Sequence, residues 1–274
     1  MRRVLLFSAL VAACASNTSA SDGGDTDAGL PDLVVTPVCD VGADAQSGLS
    51  GLVRFDHRVT TYAPESDAVI AAFGPPGTVD FAWSSGRDCC SLRTFDETTL
   101  YASPAGTIAL LDGSTTLATL KQQGDQLFYQ ASTGDTPKLR WRSGDSLTAK
   151  VDGERIGSIS GTVVAPSRIE GVTPEPPETG SVEASVGRNL AVTWTPGDGP
   201  MVSITLTSSN KTIACWVQDS GSFGISRVLL VQLGANRDAL LTVSRMNQQV
   251  VPAGDAKVLV EALDSWSTTV HLAQ

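Results

Sequence analysis

The sequence predicts an all-β protein: two antiparallel β-sandwich-like domains that follow a leader and a tether. Three observations predict it. From residue 48 onward, apolar and polar residues alternate with a period of two in short runs, which is the pattern of half-buried strands. Turn signals punctuate those runs: "LDGS", "QQGD", "STGD", "RSGD", "VDGE" and "PGDG". The 26 glycines and 14 prolines are spread along the chain and break helices at short intervals. Short strands at such spacing build sandwiches or barrels.

The individual elements follow from which residues share a face. "TVDFAW" (78–83) puts Val79, Phe81 and Trp83 together, and "SLTAKV" (146–151) does the same for Leu147, Ala149 and Val151. "LAVTW" (190–194) sets Leu190, Val192 and Trp194 against Ala191 and Thr193. "VSITLT" (202–207) sets Val202, Ile204 and Leu206 against Ser203, Thr205 and Thr207. One stretch departs from this period. In "ISRVLLVQL" (225–233), Ile225, Val228, Leu229 and Leu233 recur at helical spacing before Gly234. It reads as a short helix that stops at the glycine.

The N-terminus is organised differently. "MRRVLLFSALVAA" (1–13) has two arginines, then an apolar core, then small residues, the layout of a secretory signal. The apolar part is too short to span a bilayer, which takes about 20 apolar residues. Val11, Ala12, Ala13 and Cys14 resemble the lipobox of bacterial lipoproteins. That resemblance implies cleavage before Cys14 and acylation of its sulfur and new amino group. Ala15 in place of an aspartate leans toward the outer membrane. Residues 14–38 comprise this cysteine and an acidic tether rich in Ser, Thr, Asp, Gly and Ala, a composition that buries too little apolar area to fold. As a flexible coil, residues 15–38 reach about 25–30 Å. "DGGDTDAG" lacks the third ligand, the glycine and the distal glutamate of a calcium loop.

Three further segments are expected: a β-rich domain over 39–170, a proline-rich linker over 171–181, and a second β-sandwich over 182–274. "EGVTPEPPETG" (170–180) favours extended chain. The run "SVGRNLAVTWTPGDGPMVSITLTSS" resembles the early strands of immunoglobulin-like and fibronectin-III-like modules. The lipobox and tether, taken with "AGTIALLDG", "LAVTWTPG" and "TIACWV", resemble β-rich lipoproteins of myxobacteria, which implies an envelope address and no particular activity.

Composition limits the partners. The net charge is −10, and removal of Arg2 and Arg3 with the leader makes it −12. Such a chain is poorly suited to a nucleic acid. The expected partners are the membrane, through the lipid, and an envelope protein or glycan; no cofactor or metal is expected. With Cys14 acylated, Cys39, Cys89, Cys90 and Cys215 remain, and an exported protein forms disulfides by default. Adjacent Cys89 and Cys90 fit disulfide geometry poorly. Cys39 therefore takes one neighbour and Cys215 the other. A loop of about 50 residues closed from Cys39 is worth about 4 kcal/mol in the chain-entropy model.

Few residues have a catalytic look. Gly144-Asp145-Ser146-Leu147 resembles the nucleophile block of GDSL-type lipases and esterases, which implies an ester hydrolase using Ser146. A serine nucleophile also needs a histidine and an acid to orient it. The family's late D-x-x-H is missing: His271 has Thr268 three residues before it, and Asp264 lies too far back. Gly-Asp is also ordinary turn chemistry, so the chain reads as non-enzymatic. His57 and His271 have no partner at metal-ligand spacing and read as surface or sheet-edge residues. "KLRWR" puts Lys138, Arg140 and Arg142 on one strand face, with Leu139 and Trp141 on the other. Trp216 lies opposite Ile213, Cys215 and Val217, which makes it the candidate exposed aromatic for ligand contact.

Overall fold

The computed structural model describes residues 49–75, 90–94, 104–121, 129–177 and 181–274. Strands dominate them, as the alternation predicts. In chain order they are β1 (Gly51–Thr60), β2 (Ser66–Phe73), β3 (Cys90–Thr94), β4 (Ile108–Asp112), β5 (Thr115–Leu120), β6 (Tyr129–Ser132), β7 (Ser146–Val151) and β8 (Ile159–Val164). Then come β9 (Val182–Ser185), β10 (Leu190–Thr193), β11 (Met201–Ser208), β12 (Lys211–Gln218) and β13 (Ser222–Ile225). The helix α1 (Arg227–Leu233) precedes β14 (Arg237–Ala253) and β15 (Ala256–Ala273).

The long sheet runs β3-β12-β11-β14-β15-β1-β2-β6. Its spine is the β14–β15 hairpin, which turns at Gly254 and Asp255. At about 3.3 Å per residue, each arm is about 55–60 Å long. One edge of β15 pairs along its whole length with β14. The other takes β1 over residues 258–267 and β9 over residues 270–273, both parallel.

Two apolar cores lie on one face of this sheet. The first sits under the four-stranded sheet β5-β4-β7-β8, where Leu110, Leu147 and Ala149 meet Val53, Phe55 and Val260. The second sits under β10, β13 and α1, where Val192, Ile225 and Leu230 meet Ile204, Val243 and Val270. This is a sandwich-like arrangement, and burial of these side chains is its main driving force.

Most local expectations are met. Leu147, Ala149 and Val151 are buried together, as are Leu190, Val192 and Trp194. The helix forms within the expected stretch and stops at Gly234, but its face differs: Leu230 and Leu233 are buried, Val228 is exposed and Ile225 ends β13. Ser226 caps it by accepting from the Val228 N–H, and Gly234 ends it by donating to Leu230 and Val231. "TVDFAW" lies outside the described residues.

Two expectations need correction. The stretch 171–181 does not separate two self-contained domains. The β14–β15 hairpin lends Ala253, Val258, Val260 and Ala262 to the first core, and Leu241, Val243, Val270 and Leu272 to the second. A hairpin this long outlasts one core, so the C-terminal segment completes the N-terminal one. "KLRWR" is also not a strand. Its alternation survives in a loop, where Leu139 and Trp141 are buried and the three basic residues are exposed. Trp141 is fixed edge-on to Phe55, with ring centres 5.7 Å apart.

Candidate functional site

Cys14, Cys39 and Cys89 lie outside the described residues. Cys215 is bonded to Cys90, so one of the neighbouring cysteines takes it, as expected. The bridge joins β12 to edge strand β3 across a sequence separation of 125. Trp216 does not offer an exposed ring. It is buried with Met201, Ala214, Met246 and Leu263 on the other face of the long sheet. The sequence assigns its face correctly, but that face is covered too.

Ser146 opens β7 at an exposed position. The preceding "RSGD" is a turn: Gly144 takes φ +85°, and Asp145 Oδ2 accepts from the Arg142 N–H at 2.6 Å. Left-handed backbone is cheapest for glycine, so the turn accounts for the Gly-Asp of this motif. Both histidines bond carboxylates instead of Ser146. His271 Nδ1 lies 2.9 Å from Asp238 Oδ1.

His57 corrects the surface or sheet-edge expectation. It lies in β1, between β2 and β15, and is buried. Asp67 faces it in register on β2, and Asp264 faces it on β15. Asp264 is in turn opposite Arg245 on β14. In-register residues share a face, so Asp67, His57, Asp264 and Arg245 form one polar row across four strands. Along β1, Phe55 of the first core precedes the row; along β14, Val243 of the second core precedes it. The row is a polar belt between the cores.

The belt holds the segment 165–172, which passes from Ala165 in the first core to Ile169 and Val172 in the second. Asp264 Oδ1 accepts from the Ile169 N–H at 2.8 Å. Arg245 is 1% exposed. Its Nη1 donates to the Ser167 carbonyl at 3.2 Å, to Ser167 Oγ at 3.0 Å and to the Arg168 carbonyl. Its Nη2 donates to the Thr195 carbonyl, and its Nε to Asp219 Oδ2 at 2.6 Å. Asp219 also accepts from Trp194 Nε1 at 2.7 Å and from the Gly197 N–H at 3.0 Å. A buried charge persists when it is paired and its donors are met, and this one has both. Nothing in the sequence links Arg245 to Asp219 or "PGDG"; the signals left are an arginine within "LLTVSRM" and two glycines in one turn.

At the other end of the belt, His57 Nδ1 lies 2.7 Å from Asp67 Oδ1. Its Nε2 is 3.1 Å from Glu65 Oε1 and 3.9 Å from Asp264 Oδ2, yet makes no hydrogen bond. Burial disfavours the imidazolium, but the Asp67 hydrogen bond and the Asp264 and Asp67 charges outweigh it, and the pKa rises. Burial also pushes the Asp264 carboxyl up, against the pull of the Ile169 N–H and of His57. Glu65 is held low, chiefly by its hydrogen bond from Arg168 at 2.6 Å.

A cleft of about 420 Å³ opens beside this end of the belt. His57, Asp67, Glu65 and Arg168 line one side, and the loop carrying Arg140, Trp141 and Arg142 lines another. Asp112 and Asp145 complete it. The volume falls in the range of about 300–1,000 Å³ usual for small-molecule sites. The lining is polar and charged. Among the described residues, no group of three or more His, Cys, Asp or Glu side chains is arranged to hold a metal ion. No protein-family model matches the chain, and no curated protein matches it.

Proposed function

We propose that this protein is a lipid-anchored component of a bacterial cell envelope, with a non-enzymatic structural, adhesive or binding module as its folded part. The observation that carries this reading is Cys14, which follows two arginines, a short apolar core and Val11-Ala12-Ala13. One acyl chain holds a protein only marginally, whereas two or more hold it firmly. The composition of the acidic stretch after Cys14, rich in Ser, Thr, Asp, Gly and Ala, suits a spacer from the membrane. Ala15 favours the outer membrane. The β-sandwich-like body and its polar cleft support a binding role by analogy, since such folds carry many functions.

Protease shaving of intact cells tests this, with wild type compared with Cys14→Ala. The expected result is cleavage of the wild type on whole cells and escape of the variant to the periplasm or medium. Protection of the wild type until the outer membrane is opened would replace display with an inward-facing assembly role. Identical soluble fractionation of both forms would remove the anchor from the account.

A further inference from the structure

The cleft combines groups that favour ligands of opposite charge. Its guanidinium groups, on Arg140, Arg142 and Arg168, repel a cation, and its carboxylates, on Glu65, Asp67, Asp112 and Asp145, repel an anion. Some are satisfied internally: Arg168 pairs with Glu65, and Asp67 with His57. Others have capacity left. The Arg140 and Arg142 side chains are exposed and make no ion pair or side-chain hydrogen bond among the described residues. Asp112 is likewise without a described side-chain partner, and Asp145 uses one oxygen on the Arg142 N–H. At the floor, buried His57 Nε2 has no hydrogen bond.

Uncommitted donors and acceptors on one near-neutral surface suit a ligand that donates and accepts at adjacent atoms without net charge. A vicinal diol does this, since one hydroxyl donates to a carboxylate while its neighbour accepts from a guanidinium. We infer that the cleft binds a neutral saccharide, with Asp112 and Asp145 accepting from its hydroxyls and Arg140 and Arg142 donating to them. Trp141 is too buried to stack on a sugar ring; with Phe55 it fixes the loop that carries the two arginines. Recognition therefore rests on hydrogen bonds. The inference deepens the binding role proposed above by naming the class of its ligand.

Saturation-transfer NMR on the mature protein tests it, with maltose, lactose, cellobiose and N,N′-diacetylchitobiose as neutral probes and glucuronate and glucosamine as charged ones. The expected result is transfer to at least one neutral disaccharide, weakened at least tenfold by Arg142→Ala and by Asp112→Asn. Both substitutions lie at the cleft rim outside the cores, and an unchanged melting temperature establishes that the variants fold. No transfer to any neutral probe overturns the inference, as does transfer that both variants leave intact. Preferential binding of glucuronate or glucosamine overturns the neutral-ligand claim while leaving a glycan-binding role. Failure of the anchor reading is seen separately, as a wild type that fractionates like Cys14→Ala whatever the sugars do.

Discussion

Arg245 Nε and Asp219 Oδ2 lie 2.6 Å apart between two apolar cores, and both side chains are almost wholly buried. They bring β14, the 165–172 segment and the "PGDG" turn to one point. Breaking a buried pair leaves an uncompensated charge, at a cost of about 3–5 kcal/mol. Arg245→Ala is expected to lower stability by about that much in urea unfolding. Arg245→Met combined with Asp219→Asn should cost less than the sum of the single changes, because the orphaned charge is gone. A change for Arg245→Ala within the ordinary surface range of about 0.5 kcal/mol would remove the belt's structural role.

The glycines of "PGDG" are explained by that arginine. A Cβ on Gly197 would fall 2.3 Å from Arg245 Cζ, and one on Gly199 would fall 2.5 Å from its Cγ. Gly197→Ala is expected to cost about 1–3 kcal/mol through overpacking. Gly224→Ala is the control: nothing lies within 4 Å of its added carbon. Matched urea midpoints for the two variants would contradict this packing.

His57 gives the fold a pH dependence with a definite sign. Its pKa is raised above the ordinary 6.5 by the Asp67 hydrogen bond and the neighbouring charges, which win over burial. Its contribution is thus complete below about 6.5 and is lost as pH rises through the folded value. Burial raises the Asp264 carboxyl above its ordinary 3.8, so it acts in the same sense from a lower starting pH. Glu65 and Asp198, held low by hydrogen bonds from Arg168 and Ser167, act oppositely and lose their contribution on acidification. Facing His57 are Asp67, Glu65, Asp264 and Arg168. The wild-type melting temperature is expected to fall as pH rises above about 6.5, and His57→Gln to flatten that fall. An equal slope in both proteins would show that another group titrates.

Period-two alternation makes β7, β10 and β11 legible in the sequence, and helical spacing before a stop glycine does the same for α1, because each is decided within a few residues. The architecture is not local. β1 pairs with β15 across some two hundred positions, and no single-sequence pattern states that partnership. β14 is hard to see for a related reason: Arg245, Asn247 and Gln249 interrupt its apolar face where it leaves one core for the next. His57 reads as a surface residue because "FDHR" looks polar, and only register shows that Asp67 and Asp264 flank it. Trp216 has the correct face but the wrong exposure, since alternation separates two faces without saying whether both are covered.

The central claim concerns Cys14, and mass spectrometry of the mature N-terminal peptide from membranes tests it most directly. The account predicts a peptide beginning at Cys14, heavier than its sequence by more than one acyl chain, and absent from Cys14→Ala. A mature chain that begins elsewhere, or an unmodified Cys14, would contradict it.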